Sequence, residues 1–123
     1  MKTVNINTII TAKTGQPTIK LLTQFKDAYI VYKLEDILQK RGLSQRQLSE
    51  LTGIRQATIS NLATGKSQLI NKDILFALMF ALRITDISDI IDIKLPPAVA
   101  RQFHEEADSW EESKTPPASL TIK

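Results

Sequence analysis

Within residues 44–68, SQRQLSELTGIRQATISNLATGKSQ, two short helical patterns meet at a glycine, and the second is chemically unusual. A solvated helix face is commonly filled with Glu and Lys, which are strong helix formers. The segment RQATISN instead spends its exposed positions on Arg, Gln, Ala, Thr, Ser and Asn, several of them mediocre in helices. What these side chains offer is amides, a guanidinium, hydroxyls and methyls. Gln and Asn can pair bidentately with adenine and Arg with guanine, while Ala or a Thr methyl can meet the thymine methyl. That is chemistry for reading an edge of donors, acceptors and methyl groups.

The ingredients of bond-making chemistry are missing from the sequence. There is no cysteine, which removes disulfides and thiolate chemistry and is compatible with a reducing cytosol. The single histidine, His104, falls on the polar side of its helix beside Glu105, a surface position. Glu105, Glu106, Asp108, Glu111 and Glu112 read as a solubilising face. No Gly-rich phosphate loop, His/Cys cluster or nucleophile motif is present, so an enzyme, a cofactor and a metal are all unexpected. The first residues, MKTVNINTIITAK, lack the apolar run of a signal peptide. The longest apolar run, ILFALMFAL, is nine residues, whereas a bilayer needs ~20. A cytoplasmic protein without membrane contact is the expectation.

The chain of 123 residues suits one small domain with appendages. Its net charge of +3 permits an anionic partner without establishing one. The distribution is more informative. Residues 29–72 hold seven basic residues against three acids, and residues 73–93 one against four. A single-sign block is commonly a solvated face, so the asymmetry alone carries little.

Three segments follow from pattern and punctuation. Residues 1–28 form a β-rich extension, with TVNINTII and PTIKLL separated by the turn signal KTGQP, and Val4, Ile6, Thr8 and Ile10 alternating as one strand face. Residues 29–93 read as helices. The first covers about 33–41, with Leu34, Ile37 and Leu38 inward and Gly42 as its stop. The second starts at Ser44, which forms a capping box with Gln47, turns Leu48 and Leu51 inward and ends at Gly53. The third covers about 55–63, with Ile59 and Leu62 buried and Gly65 beyond its end. The fourth begins near Asn71, and a short fifth, TDISDII, has Thr85 as cap and Ile87, Ile90 and Ile91 inward. Residues 94–123 hold an amphipathic helix with Val99, Phe103, Ala107 and Trp110 on one stripe, then an extended tail with a possible strand at 120–122.

The second and third helices must cross within a few residues, and that imposes specific demands. Counting from Gln45, the fifth place must be small and holds Ser49; the ninth must turn and holds Gly53. The fourth, tenth, fifteenth and eighteenth must be apolar and hold Leu48, Ile54, Ile59 and Leu62. This is the helix-turn-helix template.

The segment LEDILQKRGLSQRQLSELTGIRQATISNLATGK, with the trailing ALRITDISDII, resembles the Cro/C1-type (lambda-repressor-like, XRE-family) helix-turn-helix domain over about residues 33–92. The resemblance implies a mainly α fold: a five-helix domain carrying the β-rich N-terminal extension and the C-terminal amphipathic helix. It implies double-stranded DNA as partner, with the third helix in the major groove, the second braced on the backbone, and a homodimer on a two-fold operator. By position, Gln45 and Arg46 at the start of the second helix would meet the phosphate backbone, aided by the helix N-terminus. Gln56, Ala57, Thr58 and Asn61 would face base edges, and Lys66 and Ser67 would follow into backbone or groove. Two residues depart from the family pattern. Arg55 stands where Ser or Thr often caps the third helix, and is either a poor cap or a DNA contact. Ala63 stands where Glu is frequent, so any ion pair made there is lost.

Assembly is suggested by the fourth helix. With Leu78 inward, Ile74, Leu75, Ala81 and Leu82 lie within ~60° of it, and Phe76 and Phe80 point almost opposite. Two outward aromatics call for cover by the terminal segments or a second subunit. The stripe around Phe103 and Trp110 motivates a different reading, an antitoxin or adaptor that holds a protein partner through residues 95–123 and regulates its own operon.

Overall fold

A computed structural model describes residues 2–5, 27–67 and 70–120. Its helices form where local signals agree. α1, Leu34–Arg41, has Glu35 and Asp36 in its first turn, Lys40 and Arg41 in its last, and Gly42 as a left-handed stop, charges arranged to suit the helix dipole. α2, Gln45–Thr52, and α3, Gln56–Thr64, follow with short connections. α4, Lys72–Leu82, is capped by Asn71, whose Oδ1 accepts the Asp73 N–H at 2.8 Å. α5, Pro97–Ser113, opens on proline, which tolerates the first helical position because no N–H is needed there.

Leu34, Leu38, Leu48, Ile59, Leu78, Leu82 and Ile90 are fully buried and form one core with Tyr32, Ile37, Leu62 and Ala63. The core is therefore contributed by α1–α4 and by the segments flanking them. Arg41 fastens the far ends of two of these helices, its guanidinium donating to the Leu82 carbonyl at 3.3 Å.

A three-stranded antiparallel sheet, order β1-β2-β3, closes the helical unit on one side. β1 is Lys2–Asn5, β2 is Tyr29–Tyr32 and β3 is Ile91–Lys94. Val4 stands opposite Ile30, and Ile30 opposite Ile93. The start of TVNINTII is thus a strand, and it pairs within its own chain. The rest of that stretch and PTIKLL lie outside the described residues, as do residues 121 and 122 of the terminal strand expected at 120–122; Leu120 lies in a bend.

The mainly α class is as expected, with two local differences. The proposed fifth helix is a single 3-10 turn, Ile87–Asp89, followed at once by β3. Its cap is Asp86, not Thr85: the Asp86 carboxylate accepts the Ser88 N–H and hydroxyl at 2.9 and 2.8 Å. Those two donors hold the carboxyl below the usual aspartate range. Ile90 is buried and Ile91 half-buried, but Ile87 is exposed. The β-branched alternation Ile91, Asp92, Ile93, Lys94 is better suited to a strand beside β2 than to a second helical turn.

Leu51 is the second difference, being 66% exposed where burial was expected. On α2 the partly buried residues are Gln45, Ser49 and Thr52, which with Leu48 define an arc centred toward Ser49. At 100° per residue Leu51 lies about 110° from that centre. Spacing from Leu48 alone pointed to the wrong flank.

Candidate nucleic-acid interface

The geometry of the helix pair is set by how α2 and α3 are joined. Ser44 starts α2: its Oγ accepts the Gln47 N–H at 3.0 Å, and Gln47 Oε1 accepts the Ser44 N–H at 2.9 Å. Gly53 ends it at φ 78°, a left-handed conformation in which its N–H donates to the Ser49 carbonyl, and which glycine adopts without penalty.

Three further bonds fix the turn. The Ser49 hydroxyl donates to the Ile54 carbonyl. The Thr52 hydroxyl donates to the Leu48 carbonyl at 2.7 Å and accepts the Ile54 N–H at 3.1 Å. Ser49 is therefore more than a small residue at a crossing. Thr52 was missed by sequence reasoning, although a hydroxyl two residues before an apolar turn position is a recognisable local signal.

On α3 the inward side is Ile59, Leu62 and Ala63, all buried. Ala63 is buried in the core, so no ion pair is made at that position. Gln56, Ala57 and Asn61 are exposed, and Thr58 is half-buried on the flank. Ser60 and Thr64 border the same outward side. The Thr64 hydroxyl is turned back to the Ser60 carbonyl at 2.9 Å, which leaves its methyl as the part not engaged. Arg55 is the N-cap residue in extended conformation, exposed, with no side-chain capping bond. Its guanidinium thus projects from the start of α3 without serving as a cap.

Past the helix, Lys66 is exposed and Ser67 half-buried, and both backbone N–H groups donate to the Asn61 carbonyl, at 2.9 and 3.3 Å. Two of the anticipated contacts are already engaged. Gln45 donates from Nε2 to Glu35 at 3.1 Å, and Arg46 lies 3.5 Å from Glu50. Both are exposed interactions of modest strength, which a phosphate can replace. Arg55 and Lys66 have no ion-pair partner among the described residues, and residues 51–67 contain no acid.

The end of α3 is also held from outside. Gly65 has φ 77°, and a Cβ there would lie 2.7 Å from Val4 Cγ2 and 2.9 Å from Tyr32 Cε2. The sheet thus presses against the last turn of the outward-reading helix.

Among the described residues there is no group of His, Cys, Asp or Glu able to hold a metal, and no helix is long and apolar enough to cross a membrane. A family model for the Cro/C1-type HTH DNA-binding domain matches residues 33–95, just over half of the chain. No curated protein matches it.

Proposed function

The chain belongs to the Cro/C1-type helix-turn-helix DNA-binding family, and from that premise we propose that it is a cytoplasmic, sequence-specific repressor that binds a two-fold operator as a homodimer. The observation that carries the reading is the outward side of α3. Gln56, Ala57 and Asn61 are exposed over a buried Ile59–Leu62–Ala63 base, in an acid-free segment flanked by Arg55 and Lys66. In the proposed complex α3 enters the major groove, and the start of α2 lies on the backbone with Gln45 and Arg46. The recognition helices of a dimer would be one DNA turn apart, ~34 Å.

Selection of bound duplexes from a random library is the direct test. A palindromic consensus with half-sites one turn apart is the expected outcome. Recovery of no consensus would overturn the sequence-specific reading. A single, non-repeated half-site would overturn the dimer.

Lys66 is assigned to the phosphate backbone. Lys66→Ala is expected to weaken binding to cognate and random duplex by the same factor, and to reduce the slope of log K against log salt by about one. Titrations at several salt concentrations measure both quantities. A loss confined to the cognate duplex would move Lys66 from backbone to base contact.

A second reading rests on α5, which buries none of its residues. Phe103 and Trp110 remain partly exposed, and the chain after the helix returns so that the Ser119 hydroxyl donates to Glu106 at 3.0 Å. A helix with an apolar stripe and an acidic remainder fits an adaptor or antitoxin that holds a protein partner through residues 95–123. Stoichiometric copurification of a partner that is lost on truncation at residue 95 would support it.

A further inference from the structure

Phe76 and Phe80 stand on the outer side of α4, 56% and 67% exposed, with ring centroids 5.9 Å apart. The two rings form one continuous apolar patch, opposite the buried Leu78 and Leu82. A charge stands at each end of the same face. At 100° per residue, Asp73, Phe76, Phe80 and Arg83 share an arc of about 80°. Both charged residues are exposed, and neither has an ion-pair partner among the described residues. Arg83 ends α4 at φ 55°, where α1, α2 and α3 each stop on glycine. The left-handed stop favours glycine, so α4 holds a guanidinium where the backbone alone would do better without a side chain.

We infer that this face is a self-association surface, covered by the α4 of a second copy of the chain running antiparallel. The spacing carries the inference. Asp73 and Arg83 lie five residues to either side of Leu78, and Phe76 and Phe80 lie two residues to either side. A two-fold axis at the level of Leu78 therefore sets Phe76 of one copy against Phe80 of the other, and Asp73 against Arg83, each pair twice by symmetry. The four rings cover one another, and both ends of the patch close on opposite charges. A parallel arrangement would bring Asp73 to Asp73 and Arg83 to Arg83, a like-charge apposition at each end. Charge thus selects the antiparallel orientation, which also sets each helix N-terminus beside the C-terminus of the other copy.

A second copy is the occupant this pattern fits. An apolar centre with one acid and one base at equal distances from it is self-complementary, which a surface built for a different protein has no need to be. The patch uses none of the residues assigned above to the duplex. The inference concerns the free chain and does not rest on the operator reading. Two rings and one solvated ion pair per copy make a small interface, in which the charges supply orientation more than affinity. Association is therefore expected to be weak and concentration-dependent, and to strengthen when neighbouring duplex sites hold copies close together.

Sedimentation of the full chain from micromolar to near-millimolar concentration is the test. The wild-type chain should show a concentration-dependent doubling of mass. Phe76→Ser/Phe80→Ser, which removes only exposed rings, should leave the circular dichroism spectrum unchanged. It should weaken the doubling at least about tenfold, which is ~1.4 kcal/mol. Asp73→Arg and Arg83→Asp should each weaken it by like-charge apposition, and the double reversal should restore it. If the phenylalanine variant does not fold, the charge-reversal set decides. A wild-type chain that stays monomeric throughout overturns the inference and leaves the rings to a segment of the same chain or to a different protein. A doubling that survives the loss of both rings, or ignores the charge reversals, overturns it as well, because copies then join elsewhere. Loss of duplex binding with this α4-dependent doubling intact would strike the operator reading alone.

Discussion

Gly65→Ala is expected to destabilise the protein by about 2–5 kcal/mol. Two costs add. Alanine at φ 77° occupies the left-handed region, at a cost of ~1–2 kcal/mol. The added methyl also meets Val4 and Tyr32 at 2.7–3.0 Å, and overpacking of this kind costs ~1–3 kcal/mol. Gly53 provides the internal control. It has φ 78° and nothing within 4 Å of a built Cβ, so Gly53→Ala isolates the backbone cost. Denaturant unfolding of both variants should show Gly65→Ala as the more damaging by at least about 1 kcal/mol. Adding Val4→Ala should recover part of that difference through non-additivity, because it removes the nearest atom of the clash. Equal losses in the two glycine variants, with no recovery, would mean that β1 and β2 do not press on the end of α3. Because α3 is the proposed reading element, the same clash is expected to reduce operator affinity at temperatures where the variant is still folded.

The second large effect concerns specificity. Gln56→Ala is expected to cost about 1–3 kcal/mol on the selected duplex and almost nothing on random DNA. Gln56 is exposed at the start of α3, one residue beyond Arg55, with no hydrogen-bond partner for its amide among the described residues. Its truncation therefore removes no internal interaction, and circular dichroism should be unchanged. Competition binding with point-substituted operators measures the effect. Discrimination should relax at one base pair in each half-site, with that base pair an A·T if the amide pairs bidentately with adenine. A uniform loss across all duplexes would instead assign Gln56 to the backbone. In that case Asn61 and Ala57 would have to carry the reading.

Much of the helical unit was legible because its determinants are local. The Ser44–Gln47 box, the stops at Gly42, Gly53 and Gly65, and the buried sides of α1 and α3 all depend on residues a turn or two apart. The strands β2 and β3 were not anticipated. Each is four residues long, and the pairing of Tyr29 with Lys94 joins positions far apart in the chain, a relation that periodicity within a window does not contain. Leu51 shows the limit of spacing arguments on an eight-residue helix, where the buried arc is decided by which neighbours arrive. At the site, exposure of Gln56, Ala57 and Asn61 followed from the position of Ile59 and Leu62. The contact of Gln45 with Glu35 did not, because it depends on how α1 sits beside α2. Arg55 is now less ambiguous: its side chain makes no cap, which leaves it available to an anionic partner.

The bonds from Ser49 and Thr52 across the turn have a thermodynamic consequence. All of them close within the isolated chain, so the angle between α2 and α3 is set before any duplex arrives. Association then need not fund the ordering of a flexible segment. The heat-capacity change on binding should accordingly scale with the surface buried between protein and DNA alone, without the additional negative contribution that accompanies coupled folding.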